Sequence, residues 1–145
     1  MAISGDTGNG ATLTLALFDG TTAITAALDP ISITLAPITA EVIDASTLAT
    51  TGHREYIPGD LSDSGENTAT FKWSTSATPP TLPSPAGTCT VTLPARTGET
   101  TPATVTGTGV ITSFTPPSLE NGVLQVGTIA WRWDGDTGPS VTKSA

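Results

Sequence analysis

Apolar and polar residues alternate with a period of two over most of the chain, which is the mark of strands buried on one face. Residues 12–18 (TLTLALF) put Leu13, Leu15 and Leu17 on one side. Asp19-Gly20 then predicts a two-residue hairpin turn, and 22–28 read as the returning strand. After the break at Asp29-Pro30, residues 31–35 gather Ile31, Ile33 and Leu35. Beyond Pro37, residues 38–44 gather Ile38, Ala40 and Val42. Residues 66–74 alternate Ala69, Phe71 and Trp73 with Thr68, Thr70 and Lys72. Residues 88–93 set Cys89, Val91 and Leu93 against Thr88, Thr90 and Thr92. A long strand over 103–115 contains Gly107 and Gly109, which predict a bulge or bend there. Asn121-Gly122 predicts another hairpin turn, and the last strand, 123–133, places Ile129, Trp131 and Trp133 together.

Three stretches lack this period. Residues 45–65 hold Gly52, Pro58-Gly59 and Gly65 and read as a loop of about 20 residues, a length compact domains rarely carry without a function. Residues 75–87 contain Pro79, Pro80, Pro83 and Pro85, which rule out a long helix. Residues 134–145 read as a loose tail. The expectation is a single all-β domain over 1–145. It would be a β-sandwich or partly closed barrel of seven to nine mainly antiparallel strands with at most one short helix.

Composition agrees and narrows the function. The 145 residues include 30 threonines, whose β-branched polar side chains suit the wetter face of a strand. Thirteen acids against five bases give a net charge of −8, which argues against binding nucleic acid through its phosphates. The first ten residues lack the charge and apolar core of a secretory signal, and no apolar run is long enough for a membrane helix.

Candidate chemistry is sparse. A single cysteine and a single histidine leave no soft-ligand metal site, and His53 with Glu55 gives only two ligands. Asp60, Asp63 and Glu66 miss the spacing of a calcium-binding loop. Cys89 lies on an apolar strand face and reads as a small buried hydrophobe. No paired carboxylates, phosphate-binding glycine loop or nucleophile with its base stands out. We therefore expect no catalytic residue, no metal and no cofactor.

The stretch Ile38–Trp73 resembles the major tail tube proteins of long-tailed (siphovirus-type) bacteriophages. The resembling features are Ile43-Asp44-Ala45-Ser46 closing a strand, Gly52 before Arg54-Glu55-Tyr56-Ile57-Pro58-Gly59, and Gly65-Glu66 opening the next strand. A strand closing with Leu93-Pro94 and a long strand before the last one continue the pattern. The specific match covers about a quarter of the chain. Family members usually carry a helix after the strand at 66–74, where this chain is proline-rich.

The resemblance implies a subunit of a hexameric ring whose inner strands join into one continuous barrel. Such rings would stack into a hollow tube around a tape-measure protein, capped by tail terminator and tail-tip proteins. Double-stranded DNA would pass through without specific binding, and no membrane would be engaged. Location would be the virion, after assembly in the host cytoplasm. The loop 45–65 would reach a neighbouring subunit or ring, making Arg54, Glu55, Tyr56, Ile57, Asp60 and Asp63 interface candidates. Glu41 and Glu66 would be candidates for charge facing the lumen, with Lys72 paired to one of them. Six copies at −8 each give −48, and an acidic wall does not hold phosphates. Three alternatives remain open. They are an immunoglobulin-like capsid decoration or surface-binding module, a small acidic carbohydrate-active or metal-dependent enzyme, and the related tube protein of a bacterial secretion machine.

Overall fold

A computed structural model describes residues 10–16, 29–74, 78–80, 82–83, 85–134 and 139–145. Nine strands occur among them, and no helix: β1 (Thr12–Ala16), β2 (Pro30–Thr34), β3 (Thr39–Asp44), β4 (Tyr56–Asp63), β5 (Glu66–Lys72), β6 (Gly87–Thr92), β7 (Thr104–Thr115), β8 (Val126–Trp133) and β9 (Ser140–Thr142). All pairings are antiparallel. Seven strands form one sheet in the order β1-β6-β7-β8-β5-β2, with β9 alongside the first half of β7. β3 and β4 form a separate hairpin. The all-β sandwich expectation holds, but the sheet is not closed into a barrel: its path ends at β1 and β2 among the described residues. The proposed turn at Asp19-Gly20 and the strand 22–28 lie outside the described residues.

One core unites the sheet. Leu13 and Leu15 of β1, Cys89 and Val91 of β6, Ile111 of β7, Ile129, Trp131 and Trp133 of β8, and Ala69 and Phe71 of β5 share one buried cluster. Apart from Ile111, these are residues that the period-two pattern placed inward. The opposite faces carry threonine in register, Thr12↔Thr92↔Thr104 and Thr14↔Thr90↔Thr106, and Thr90 and Thr106 hydroxyls lie 3.0 Å apart. Such cross-strand pairs supply sheet stability where there is no apolar layer.

The structure revises four details of the sequence reading. The bulge in β7 falls between Ile111 and Ser113, not at Gly107 and Gly109. The extra residue there reverses the strand's alternation and turns Phe114 inward, 6.1 Å from the Phe71 ring centroid and 5.8 Å from that of Trp73. Gly109 instead answers crowding, since a Cβ there would come within 2.7 Å of the Arg132 carbonyl oxygen. The last strand begins at Val126 rather than 123, so β7 and β8 are joined by ten residues that include the Asn121-Gly122 turn. Leu93 lies beyond the end of β6 and is exposed. The C-terminal segment 139–145 is held, not loose: β9 pairs β7, and the Ala145 oxygen accepts the Thr100 and Thr101 amides at 2.9 and 3.0 Å.

Cys89 is fully buried, as its pattern predicted. Burial, with a smaller contribution from the Asp134 charge, pushes its thiol from the ordinary 9.0 up to about 12. The folded thiol keeps its proton in the range where the unfolded one has lost it. Its contribution to stability is therefore complete below pH 9 and falls between pH 9 and about 12, by about 1.4 kcal/mol per pH unit. Urea unfolding at a series of pH values should show this slope in the wild type. A Cys89→Ala variant should lack it.

Candidate functional site

The hairpin β3–β4 is where the chain departs from the economy of its core. Both strands are exposed along nearly their whole length. Antiparallel partners share a face, so Ile43 and Ile57 lie on one side, and Val42, Pro58 and Tyr56 on the other. All but Pro58 are large side chains left exposed, as is Leu61 at 73%. A two-stranded hairpin is marginal by itself in water. Apolar groups on both of its faces without cover among the described residues mark a surface built to be covered.

The second part of the expected 45–65 loop, Tyr56–Asp63, is strand. Tyr56–Asp63 pairs with Thr39–Asp44, leaving 45–55 as the tip. Pro58-Gly59 reads as a break, yet both residues fit. The Ala45 amide bonds the Glu55 carbonyl at 2.9 Å, which sets the ladder's alternation: Ile43–Ile57 is a hydrogen-bonded pair, and Val42–Pro58 is not. Proline's missing N–H therefore faces the outer edge, where no ladder bond is lost. Gly59 lies against Glu41, where a Cβ would meet the Glu41 Cβ at 2.7 Å, beside the register shift between Ala40 and Val42.

Each end of the hairpin is fastened in the same way. At the tip, the Asp44 carboxylate accepts the Ser46 amide at 2.9 Å and meets Arg54 at 3.4 Å. The Ser46 amide, then its hydroxyl, holds the Asp44 carboxyl below its ordinary range. At the root, Asp63 accepts the Gly65 amide at 3.3 Å and meets Arg132 at 3.5 Å. The link into β3 is anchored too: the fully buried Asn67 accepts the Ala36 amide at 2.9 Å and donates to the Trp131 carbonyl at 3.5 Å. The tip closes on itself through the Glu55 amide on the Ser46 hydroxyl at 2.8 Å and a turn from Thr47 to Thr50. The hairpin is thus fastened at both ends by contacts within the chain.

Of the expected interface residues, Arg54, Glu55, Tyr56, Ile57, Asp60 and Asp63 all lie on this hairpin and are exposed. Arg54 and Asp63 also make the ion pairs just described. Glu41 lies on the same hairpin, packed on Gly59. Glu66 lies beyond the root, opposite Arg132, and accepts the Thr112 hydroxyl at 2.8 Å beside the β7 bulge. Lys72 stands at the other end of β5, opposite Val126 and about 20 Å from Glu66 along the strand, so it is not the partner of that carboxylate. Arg132 is the cation at the root. Sequence reading missed it, although it is the one charge among the alternating residues of the last strand. Asn67 was missed as well; its signal is a polar residue at an inward position of an alternating strand.

Among the described residues no group of three or more His, Cys, Asp or Glu could hold a metal ion. His53 and Glu55 lie on the exposed tip. A hollow beside the β4 irregularity is lined by Thr39, Ala40, Glu41, Leu61, Ser62 and Asp63.

No protein-family model and no curated protein matches this sequence. Solved structures do share the fold. A chain of the anti-feeding prophage baseplate, determined with six-fold symmetry, is similar with a TM-score of 0.64 and 10% identity, over 99% of this chain and 98% of that one. A chain from the tail of an empty GTA particle, determined with C6 symmetry, is similar with a TM-score of 0.64 and 14% identity, over 94% and 99%. A chain of an extracellular contractile injection system, a PVC sheath–tube complex in its extended state, is similar with a TM-score of 0.56 and 17% identity, over 90% and 86%. At these identities the likeness is one of fold, and it spans nearly the whole chain.

Proposed function

We propose that this protein is a structural subunit of a phage-type tail, in which rings of six copies stack into a hollow tube. The observation that carries the reading is the ordered β3–β4 hairpin with apolar side chains on both faces and no cover among the described residues. Support comes from a whole-chain fold shared with chains of tail, baseplate and sheath–tube assemblies, two of them determined with six-fold symmetry. The resemblance of Ile38–Trp73 favours the tube of a long-tailed phage. The tube would surround a tape-measure protein, end on terminator and tip proteins, and later conduct DNA. It would be built in the host cytoplasm and remain in the virion. The role is mechanical, with no catalytic step. Glu41 and Glu66 would add to the negative charge of the assembly, and that charge lets DNA slide without sticking.

Electron microscopy of the purified protein at high concentration tests the reading. Hollow rings or stacked tubes are expected. Monomers at every concentration, even with the tail tip added as initiator, would reject it. Arg54→Ala should lower the yield of tubes several-fold while leaving subunit stability within about 1 kcal/mol, because the Arg54–Asp44 pair is exposed. Equal yields would remove the tip from the interface.

A further inference from the structure

The Asn121-Gly122 turn is a motif that the proposed function does not use. It lies in the ten-residue link between β7 and β8, and both residues are exposed. The turn runs from Glu120 to Val123. It is closed by the Val123 amide on the Glu120 carbonyl at 3.4 Å, longer than an ordinary backbone bond. Gly122 takes a φ of 76°, which suits the third position of such a turn and which glycine adopts without strain. A turn bond engages the amide of the fourth residue and leaves that of the third unused. The Gly122 amide and the Asn121 side chain accordingly make no hydrogen bond among the described residues. Beyond the chain neighbours of Gly122, nothing described lies within 4 Å of where its Cβ would stand.

Asn67 is the opposite case. It is fully buried, its side chain accepts the Ala36 amide at 2.9 Å and donates to the Trp131 carbonyl at 3.5 Å. The next residue is the β-branched Thr68, held in register between Thr34 and Ala130. Neither the side chain nor the following amide is free to move toward the other. Asn9, the third asparagine of the chain, lies outside the described residues.

We propose that Asn121 is a site of self-modification, where the side-chain amide is lost as ammonia through a cyclic imide formed with Gly122. The Gly122 nitrogen gives up its proton to solvent base and attacks Asn121 Cγ. The new N–C bond closes a five-membered ring. The Cγ–Nδ2 bond then breaks, and ammonia leaves with a proton taken from water. Water opens the ring at either carbonyl: at Cγ it gives aspartate, and at the main-chain carbon it gives isoaspartate. The balance needs only water. Each event takes a copy from a net charge of −8 to −9 and sets a carboxylate beside the exposed Leu119, Val123 and Leu124. Isoaspartate also adds one carbon to the main chain, within a link that belongs to no strand ladder. The inference does not depend on the tail-subunit reading.

Trypsin cuts after Arg54, Lys72, Arg96 and Arg132, which puts Asn9, Asn67 and Asn121 on three different peptides. Mass spectrometry of those peptides, after incubation of the folded full chain at mildly alkaline pH, tests the proposal. Asn121 should react at least tenfold faster than Asn67. Its rate should rise in proportion to hydroxide, because the Gly122 amide must first lose a proton, and its product should contain isoaspartate as well as aspartate. Reaction at Asn121 no faster than at Asn67 would overturn the site. Aspartate without isoaspartate would overturn the imide route. The same incubation in urea isolates what the turn contributes. The folded chain should react at Asn121 within tenfold of the unfolded one, and a larger slowing would overturn the claim that the turn leaves the reaction open.

Discussion

Changing Tyr56 and Ile57 together to serine is expected to cut assembly by a factor of at least ten and leave the subunit's thermal midpoint within a few degrees of wild type. The two residues are neighbours in β4, so they lie on opposite faces of the hairpin, and they are 57% and 49% exposed. Burying a large apolar side chain fully is worth about 1.5–3 kcal/mol. About half of that remains to be gained at each residue when a partner covers it, about 2 kcal/mol for the two together. That is about a thirtyfold change in the affinity of one contact. In the proposed ring each copy would make the contact, so the expected effect on tube yield is at least as large. The fold loses little because neither side chain belongs to the buried core. Sedimentation and thermal unfolding of the same samples check both halves. Assembly at the wild-type level would show that the apolar faces are not an interface, and a large drop in the midpoint would show that they serve the fold.

Trp131→Ala should cost about 3–5 kcal/mol, much of the 5–15 kcal/mol that holds a typical domain. Trp131 is fully buried and is the largest of the completely covered side chains. It is held between Asn67 of β5 and Ile111 of β7 in register, and its ring meets that of Trp133 edge-on at 6.4 Å. Removing it takes away the middle of the core. Trp131→Phe should cost much less, and for a specific reason. The indole N–H is buried without a hydrogen-bond partner among the described residues, so phenylalanine also removes an unpaired donor. Urea unfolding of both variants decides the point. Equal losses would mean that the indole N–H is satisfied in the folded protein and that volume alone does not govern the site.

The two predictions concern parts of the chain that were legible to different degrees. The inward positions of β5, β6 and β8 could be read directly because a strand shows its neighbours only every second residue. Ala69, Phe71, Cys89, Val91, Ile129 and Trp131 are buried as that pattern requires. The hairpin was harder to read. Its strands are apolar on both faces, so they lack a contrast between sides, and Pro58-Gly59 imitates a loop. Only the register shows that Pro58 occupies an outward position and that Gly59 makes room for Glu41. The segment could be singled out by its resemblance and its length, and its form as a strand pair could not. The bulge in β7 was misplaced for a similar reason. Glycine marks either a bend or a close approach, and at Gly109 it marks the approach of the Arg132 backbone.

By itself the sequence determined the class of the fold, the side that most strands of the main sheet turn inward, and the absence of a charge pattern suited to phosphates. These are local properties, set by a period of two, by turn-forming residues and by composition. The tertiary structure decided which strands are neighbours, where alternation is interrupted, and which residues fasten the hairpin. Asn67 reaches the Ala36 amide across 31 positions and the Trp131 carbonyl across 64, and Arg132 of β8 supplies the cation for Asp63 at the root. Contacts of that separation depend on how distant segments align. Alternation within one strand specifies a face and not a partner, so these contacts became visible only once the register was known.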